Sequence, residues 1–344
     1  MQNISNQLQQ LDKVLEDKKH LLIIVHNHPD PDAIASAAAL SALAENRTDI
    51  KTSIAYGGFI GRAENQTMVQ KLKIRLKAYN RIKLDKYDCL ALVDGQPKAG
   101  NTPDLKYNII IDHHPQLKNT KGDLVVVNPD IGVSATILVE WLNKSNVEIN
   151  VDLATALVYA FISETQNLGR EAGPRDMKAY LSIYDKANMR RLSQIIHPKL
   201  PSSYFQTLAK TLHRTYSFKH LICAHMGEVP NTEIVSEMAD FLLRRERISW
   251  SFCTGIFKDQ FILSLRSSNP KVKAGKIIKH FSTDPYKVGG HDMMAGGYIT
   301  LENKKEEEIN KLEEELSADF ARLLGYKEAQ WKPLLDVSEI KENA

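Results

Sequence analysis

The sequence predicts an α/β protein of two domains: a doubly wound, mostly parallel sheet first, then a smaller α/β domain. Short runs rich in Val, Ile and Leu alternate with amphipathic segments up to about Arg190, which is typical of βαβ units. The pattern then becomes mostly helical around Pro198 and Pro201, and strands return from His220. A chain of 344 residues with 43% hydrophobic side chains has enough apolar surface for two cores.

The elements of the first domain follow in order from this alternation. The predicted strands are Leu21 to Val25, Thr52 to Ala55, Cys89 to Val93, Asn108 to Ile111 and Leu124 to Val127. The predicted helices are Ala33 to Ala44, Glu64 to Leu72, Ser134 to Asn143, Leu153 to Ser163 and Arg175 to Lys186. Helices between successive strands favour a parallel sheet that is covered on both faces.

The second domain combines a hairpin with helices. The predicted strands are His220 to Ala224, Trp250 to Phe257 and Phe261 to Arg266, with Lys258 to Gln260 as the turn. Helices are predicted at Thr232 to Arg244 and Lys273 to Phe281, and a solvated helix of alternating charge at Lys304 to Glu315. We therefore expect a first domain over 1–190, a helical linker over 191–217, a second domain over 218–330 and a C-terminal tail over 331–344.

The net charge and the cysteine content limit the functional classes to which the protein could belong. The 45 basic and 42 acidic residues leave a net charge of +3. This charge is too small to indicate a surface that binds long nucleic acid, but it is compatible with a short anionic substrate. The three cysteines lie far apart without metal-site spacing, so they predict core thiols in a reducing compartment. No stretch is apolar enough to span a bilayer, and the polar N-terminus is no signal peptide. We expect a cytoplasmic protein without a membrane partner; no coiled-coil pattern predicts an oligomeric state.

Acidic and imidazole side chains follow three predicted strands. His26, Asp30 and Asp32 come after the first, Asp94 after the third, and Asp112-His113-His114 after the fourth. Ligands of open parallel sheets bind beyond the carboxyl ends of the strands, so we expect these groups to converge. Helix capping by Asp32 is the structural alternative, but it accounts for only one carboxylate.

Carboxylates brought this close repel one another unless cations neutralise them. Mixed carboxylate and imidazole ligands suit Mn²⁺, Mg²⁺ or Zn²⁺, and the excess of oxygen donors favours Mn²⁺. A pair of divalent metal ions would need a bridging carboxylate, for which Asp94 is well placed. The sequence therefore predicts a site for two divalent cations.

These motifs, in this order, resemble the DHH phosphoesterases, a family that includes RecJ-type exonucleases and NrnA-type oligoribonucleases. The stretch from Gly289 to Gly297, with His291 inside it, is similar to the glycine-rich GGGH motif of the DHH-associated C-terminal domain. Arg266 and Ser267 on the preceding strand fit the phosphate-binding arginine of that domain. The resemblance covers roughly residues 15 to 325.

The resemblance implies roles for individual residues. His26, Asp30 and Asp94 would hold the first metal ion, and Asp32, Asp94 and His113 the second. Asp112 would orient an imidazole, and His114 would act on the phosphoryl group or the leaving oxygen. The residues implied to bind a substrate phosphate are Arg266, Ser267, Gly289, Gly290 and His291.

Two positions depart from the family pattern. Glu164 stands where the family has an aspartate ligand, and its longer side chain predicts an altered metal geometry. Val288 occupies the first glycine of GGGH. The loop Gly57 to Arg62 is rich in glycine but lacks the lysine of a phosphate-binding P-loop. Alone, it is therefore weak evidence for a nucleotide-binding site.

By this resemblance the chain is expected to be a Mn²⁺-dependent hydrolase that attacks a phosphate ester or phosphodiester with metal-activated water; Mg²⁺ or Co²⁺ are the alternative ions. Short oligonucleotides and 3′-phosphoadenosine 5′-phosphate are the expected substrates. Cyclic or linear dinucleotides and polyphosphate ends are the alternatives. Because Glu164 and Val288 are off-pattern, a degenerate protein that only binds a nucleotide is the non-enzymatic alternative.

Overall fold

The computed structural model describes residues 4–97, 99, 102–169, 172–269, 271–282, 287–290, 293–302 and 305–335. The chain divides into two compact units, Met1–Lys199 and Leu200–Ala344. The division falls inside the segment 191–217 that the sequence predicts as a linker. No helix in the described residues is long and apolar enough to cross a membrane.

The first unit is built on a fully parallel sheet of six strands, as the βαβ pattern predicts. Its order is β3-β2-β1-β4-β5-β6, so the direction of winding reverses between β1 and β4. Every neighbouring pair is parallel. The strands are β1 His20–Ile24, β2 Lys51–Tyr56, β3 Leu76–Ala78, β4 Cys89–Val93, β5 Ile109–Asp112 and β6 Leu124–Val127.

The first unit has seven helices in its described part: α1 Ile4–Leu15, α2 Pro31–Arg47, α3 Ala63–Lys71, α4 Ala135–Lys144, α5 Val151–Glu164, α6 Pro174–Tyr184 and α7 Met189–Ile196. The alanine-rich α2 buries eleven of its seventeen residues, and it packs against α4 and α5. Pro31 at its first turn fits the fixed φ of proline, and Asp30 caps it by accepting from the Ala33 amide at 2.9 Å.

The sequence analysis missed α1 and the edge strand β3. Helix α1 buries Leu8, Leu11 and Leu15 on one face, a spacing that places all three on the core side. Each leucine contributes roughly 1.5–3 kcal/mol of burial free energy. The polar residues between them concealed this narrow apolar stripe, and β3 is too short for its alternation to be recognised.

The second unit contains a mixed sheet of seven strands in the order β11-β12-β10-β9-β8-β7-β13. Its strands are β7 Thr215–Phe218, β8 Leu221–Glu228, β9 Trp250–Phe257, β10 Gln260–Ser267, β11 Val288–Gly290, β12 Met294–Thr300 and β13 Lys332–Pro333. Strands β8 and β9 are parallel, and the other described pairs are antiparallel. The predicted hairpin is β9 and β10, which turn at Lys258 with a φ of 56°.

The helices of the second unit cover both faces of its sheet: α8 Ser202–His213, α9 Glu233–Leu242, α10 Ala274–Ile277 and α11 Glu306–Leu323. Phe252, Leu263 and Phe320 belong to one core cluster, and Val235 and Met238 to another. The helix predicted at Lys273 to Phe281 is instead the short α10 followed by a 3₁₀ turn, Ile278–Phe281.

The predicted solvated helix at Lys304 to Glu315 corresponds to the first part of α11, whose residues from Glu306 to Glu315 are mostly exposed, but the helix is longer than predicted. Helix α11 continues to Leu323 and buries Leu316, Phe320 and Ala321. These apolar residues lie after the charged run, so the sequence of the first turns does not indicate the buried second half of the helix. The cysteines do lie in the core: Cys89, Cys223 and Cys253 are all free and buried.

Candidate metal centre

The polar residues predicted from the strand ends lie at the edge of the first unit where β1, β4 and β5 are neighbours. His26 and Asp30 follow β1, Asp94 follows β4, and His113 and His114 follow β5. This edge contains the reversal of strand order, where doubly wound sheets open a crevice. The fold therefore brings the three motifs together.

Asp94 lies at the centre of this cluster and is 3% exposed. Its backbone has a φ of 57°, in the left-handed region, and its amide donates to the Ile111 carbonyl at 2.8 Å. Its Oδ2 lies 3.6 Å from Nε2 of His26, and its Oδ1 lies 3.5 Å from Nε2 of His113. The two carboxylate oxygens thus face different imidazoles, as a bridging ligand would.

His26 and Asp30 form one side of the cluster. Nε2 of His26 lies 3.5 Å from Oδ2 of Asp30, while Nδ1 lies 2.9 Å from the Asn27 carbonyl. Because Nδ1 faces an acceptor, it carries a proton in either state of the ring, so Nε2 is the nitrogen that could bind a cation after losing its own proton. Burial would lower the pKa of His26, but hydrogen bonds with Asp30 and Asp94 outweigh it and raise that pKa well above its usual value.

Two groups of ligand atoms could each hold a cation. One consists of His26, Asp30 and Asp94, the other of Asp94, His113 and His114, and the ligand atoms of each lie within 4.8 Å of one another. Carboxylate oxygens with imidazole nitrogens are a donor set for divalent transition metals. Asp94 is common to both groups, so the chemistry and the spacing fit a pair of cations that share one carboxylate.

Asp32 has a different environment from the one expected of a metal ligand. It is fully buried; its Oδ2 accepts from the Ser134 amide at 2.6 Å and its Oδ1 from the Ala135 amide at 2.9 Å. Both oxygens therefore engage the first turn of α4, where helix amides attract anions. Burial and the charges of Asp94 and Asp30 raise the pKa of Asp32. Asp32 belongs to neither three-residue group in the described part of the chain.

Glu164 is the last residue of α5. Burial raises its pKa to about 8, together with the negative charges of Asp30, Asp94 and Asp32. These negative charges disfavour the carboxylate form of Glu164. An additional cation would lower this repulsion, although Glu164 is in neither compact group of ligand atoms in the described residues.

Asp112 and His114 form a hydrogen-bonded pair beside the cluster. Oδ1 of the fully buried Asp112 lies 2.8 Å from Nδ1 of His114, and its Oδ2 accepts from Nε2 of Gln96 at 2.6 Å. Burial would lower the pKa of His114, but the bond with Asp112 and the charge of Asp94 raise it to about 9. The Asp112 carboxylate therefore favours the protonated form of the His114 ring.

Two supporting residues were missed by the sequence analysis. Ser134 donates through Oγ to Oδ1 of Asp94 at 2.9 Å. Gln96 holds Asp112 and also accepts from the Leu117 amide and from Oγ1 of Thr120, at 2.8 and 2.6 Å. A serine directly before an apolar helix and a glutamine two residues after Asp94 were the available signals, but neither indicates which carboxylate it contacts.

Gly57 and Gly58, in the loop Gly57 to Arg62, allow the close packing of the turn after β1. A Cβ at Gly57 would lie 1.6 Å from Oδ1 of Asn27. At Gly58, with a φ of 65°, it would lie 2.7 Å from the His28 ring. Side chains there would displace the turn that positions His26 and Asp30.

Of the predicted phosphate-binding residues, Arg266 and Ser267 lie on β10, and Gly289 and Gly290 lie on β11. Arg266 is 9% exposed; its Nε donates to Oδ1 of Asp240 at 2.6 Å and its Nη1 to the Leu265 carbonyl at 3.0 Å. Oγ of Ser267 donates to the Ser249 carbonyl at 3.2 Å. His291 lies outside the described residues.

Gly289 and Gly290 differ in their surroundings. A Cβ at Gly290 would lie 2.3 Å from the Met294 carbonyl oxygen, so a side chain there would collide with β12. A Cβ at Gly289 would meet no atom of the described residues within 4 Å. Gly290 therefore allows the strands to pair, and Gly289 leaves its face of the hairpin open.

Comparison with known proteins gives two domain matches. Residues 20–161 match the DHH family, N-terminal domain, and residues 219–318 match the DHHA1 domain. An uncharacterized protein of Methanocaldococcus jannaschii is 36% identical over 330 residues, covering 93% of this chain and 67% of that protein. A solved exopolyphosphatase-related protein from Bacteroides fragilis has a TM-score of 0.73 at 15% identity, covering 94% of this chain and 98% of that one.

Two further relatives have named activities. A probable manganese-dependent inorganic pyrophosphatase of Lactobacillus gasseri is 30% identical over 150 residues, 42% of this chain and 47% of that protein. The cyclic-di-AMP phosphodiesterase GdpP of Bacillus subtilis is 23% identical over 313 residues, 82% of this chain and 45% of that protein. The chain thus spans less than half the length of each of these two relatives. With both domain matches in the order of the motifs, the chain belongs to the DHH family of phosphoesterases, and a DHHA1 domain follows its DHH domain.

Proposed function

We propose that this chain is a metal-dependent phosphoesterase that hydrolyses phosphate ester or phosphodiester bonds in a short nucleotide substrate. The observation that carries the proposal is the position of Asp94, whose two carboxylate oxygens face His26 and His113 at 3.6 and 3.5 Å. Such crowding of buried acids and imidazoles costs folding free energy unless cations neutralise it, and clusters of this kind are common at functional sites. The arrangement suits a bridging ligand between two cations.

The proposed cofactor is a pair of divalent metal ions, with Mn²⁺ favoured by the oxygen-rich donor set and by the named metal of the pyrophosphatase relative. His26, Asp30 and Asp94 would hold one ion, and Asp94 and His113 the other, with Asp32 and Glu164 as further candidate ligands. When bound, the ions would supply a water of lowered pKa and positive charge against the phosphoryl oxygens.

His114 is proposed as the catalytic acid and Asp112 as its positioning residue. The Asp112 carboxylate holds Nδ1 of the ring, so Nε2 is the nitrogen that can face the substrate. Because the pKa of His114 is raised to about 9, the ring carries the proton that a leaving alkoxide requires. Gln96 fixes Asp112 from the opposite side and thereby limits its rotation.

The proposed substrates are short oligoribonucleotides and 3′-phosphoadenosine 5′-phosphate. Arg266, Ser267, Gly289, Gly290 and His291 would hold a terminal phosphate of the substrate. The net charge of +3 argues against long nucleic acid. A cyclic dinucleotide is the second candidate, favoured by the phosphodiesterase relative that matches 82% of this chain.

The decisive variant is Asp94→Asn, because asparagine tolerates the left-handed backbone at this position while removing the charge. We expect it to lose Mn²⁺ and to lose hydrolysis of a 5′-phosphorylated dinucleotide, 3′-phosphoadenosine 5′-phosphate, cyclic di-AMP and short polyphosphate. Metal content would be measured by plasma mass spectrometry and turnover by product release.

Asp123→Asn is the matched control, since this exposed aspartate precedes β6 and lies at the other end of the strands. It should retain both metal and turnover. Full activity in Asp94→Asn, or a native protein that binds nucleotide but turns over none of the four substrates with Mn²⁺, would refute the proposal. The relative rates on the four substrates would identify the substrate class.

A further inference from the structure

The side of the first unit that ends in β3 carries a dense group of basic side chains. Over residues 73–86 the chain has six cations and one acid, Asp85. Since the whole chain has a net charge of +3, the rest of the chain is net negative. The six cations, which we call the basic edge, are Lys73, Arg75, Lys77, Arg81, Lys83 and Lys86.

The charges of the basic edge are open to solvent and uncompensated. All six side chains are exposed. None of them forms an ion pair in the described part of the chain, and Lys77 donates through Nζ to Oγ of Ser53 at 3.0 Å. Unpaired cations this close in sequence repel one another, so an anion that contacts several of them gains free energy from each.

Two of these cations, Lys73 and Arg75, line a groove of about 440 Å³ that also contains acids. Glu45 accepts there from the amide and the hydroxyl of a neighbouring threonine, at 3.1 and 2.5 Å. Asp152 pairs with Arg191. Both acids therefore have other partners, and neither neutralises the basic edge.

The first part of the basic edge is extended. Residues 74–78 lead into β3, the edge strand of the sheet. Ile74 and Leu76 pack against the core, while Arg75 and Lys77 alternate with them on the exposed side. Residues two apart on an extended chain point to the same face, about 6 to 7 Å from each other. Their charges therefore form a row with regular spacing.

Protection of the sheet edge does not account for this row. A charged edge strand does prevent sheets from pairing with one another. However, β3 contains only three residues, and Lys77 is its one cation. The other five cations lie outside the strand, where there is no ladder to protect.

The row leads toward the candidate metal centre. Strands β3, β2 and β1 are parallel, so all three end at the same edge of the sheet. Arg75 precedes β3, and Arg81 closes the 3₁₀ turn that directly follows it. Neighbouring strands lie about 4.8 Å apart, so β3 is roughly 10 Å from β1, which His26 and Asp30 follow. The cations thus extend along β3 to the edge where the metal centre lies.

We propose that the basic edge binds the phosphate backbone of a short single-stranded oligoribonucleotide, a few nucleotides away from the bond that is cleaved. Unpaired cations in a row attract successive phosphates without reading the bases. A membrane surface fits less well, because it requires apolar anchors, and Leu84 is the one large hydrophobic residue exposed within residues 73–86, all of which the structure describes. The effect on turnover rests on the proposed function, whereas the binding does not.

The test is binding of a fluorescein-labelled RNA of ten nucleotides to the full chain in EDTA, measured by fluorescence anisotropy at several salt concentrations. We expect saturable binding whose association constant falls with salt, with a logarithmic slope of about −0.7 for each phosphate contacted. A labelled dinucleotide is too short to follow the row and should bind at least about tenfold more weakly. Binding that does not depend on salt, or equal binding of poly-glutamate, would overturn the inference.

The double variant Arg75→Gln, Lys77→Gln should weaken RNA binding by about tenfold and make the slope less steep by about 1.4, because two phosphate contacts are lost. The matched control is Lys311→Gln, Lys327→Gln, which removes the same charge from exposed positions of the second unit. It should bind RNA as the native chain does. Equal binding by the two double variants would contradict the inference.

Hydrolysis provides a separate measurement. With Mn²⁺, the double variant of the basic edge should raise KM for the RNA of ten nucleotides by about tenfold, with kcat and the turnover of a dinucleotide unchanged. An unchanged KM in an active enzyme would count against the basic edge alone. If the native chain hydrolyses no substrate, the proposed function fails, and the binding in EDTA still decides whether the basic edge holds RNA.

Discussion

At the residue scale, the candidate site depends on carboxylates in different environments. Asp94 faces two imidazoles, Asp32 binds the amides at the start of α4, and Asp112 holds His114. The sequence could place all three at strand ends or in the following turn. It could not assign Asp32 to α4, because its partner Ser134 is 102 residues away in the chain. A contact of that separation leaves no local pattern.

A first prediction separates the two roles open to His114. Because Nδ1 of His114 is engaged by Asp112, we expect His114→Asn to keep its metal ions and to lose about 10²- to 10⁴-fold in turnover, as removal of a general acid does. His113→Asn should lose metal instead. Turnover at saturating substrate and metal content would be measured on the same samples. Equal metal loss in both variants would make His114 a ligand and exclude it as the acid.

At the scale of elements, the sequence predicted most of the parallel sheet and less of the second unit. Buried strands such as β4 and β6 have the predicted bounds because continuous apolar runs identify them. Strands β11 and β12 contain four glycines, which have no side chain to reveal a face of the sheet, so no strand was predicted there. These two strands pair because their backbones approach closely at the glycines, and a hydrophobic pattern cannot predict such an approach.

The close approach at Gly290 gives a prediction for this hairpin. Gly290→Ala should lower the free energy of unfolding by roughly 2 kcal/mol or more, since its Cβ would lie 2.3 Å from the Met294 carbonyl oxygen. The Cβ of Gly289→Ala would meet no atom within 4 Å in the described part of the hairpin, so this variant should leave stability nearly unchanged. Urea denaturation of the two variants measures the difference. Equal stability would show that the strands adjust without cost.

At the scale of the whole molecule, the two units bury different kinds of titratable group. The first unit gathers buried acids and imidazoles at one sheet edge, whereas the second buries the neutral His225 beneath α11. No motif in the sequence around His225 indicates its burial, because the contact between β8 and α11 forms only when the second unit folds. Its role could therefore not be predicted from neighbouring residues.

Burial and the charge of Arg214 lower the pKa of His225 from 6.5 to about 4. Between these values the unfolded chain binds a proton that the folded chain does not, so stability decreases as the pH falls from 6.5 to 4. The full effect is roughly 3 kcal/mol. Denaturation midpoints of the second unit, followed across this range, should show the loss.

His225→Gln should flatten this dependence, whatever its effect on stability at neutral pH. The exposed His197 provides the control, since His197→Gln should keep the native slope. A slope that survives in His225→Gln would assign the acid sensitivity to other groups.

The buried thiols have a practical consequence. Burial raises the pKa of Cys89 and of Cys223 to about 12, and that of Cys253 also rises, so almost no thiolate forms at neutral pH. Maleimide dyes would therefore react with a cysteine introduced at the surface and spare the native three. One dye on each unit would let resonance energy transfer follow the separation of the units during turnover, in a chain that keeps every cysteine of its own.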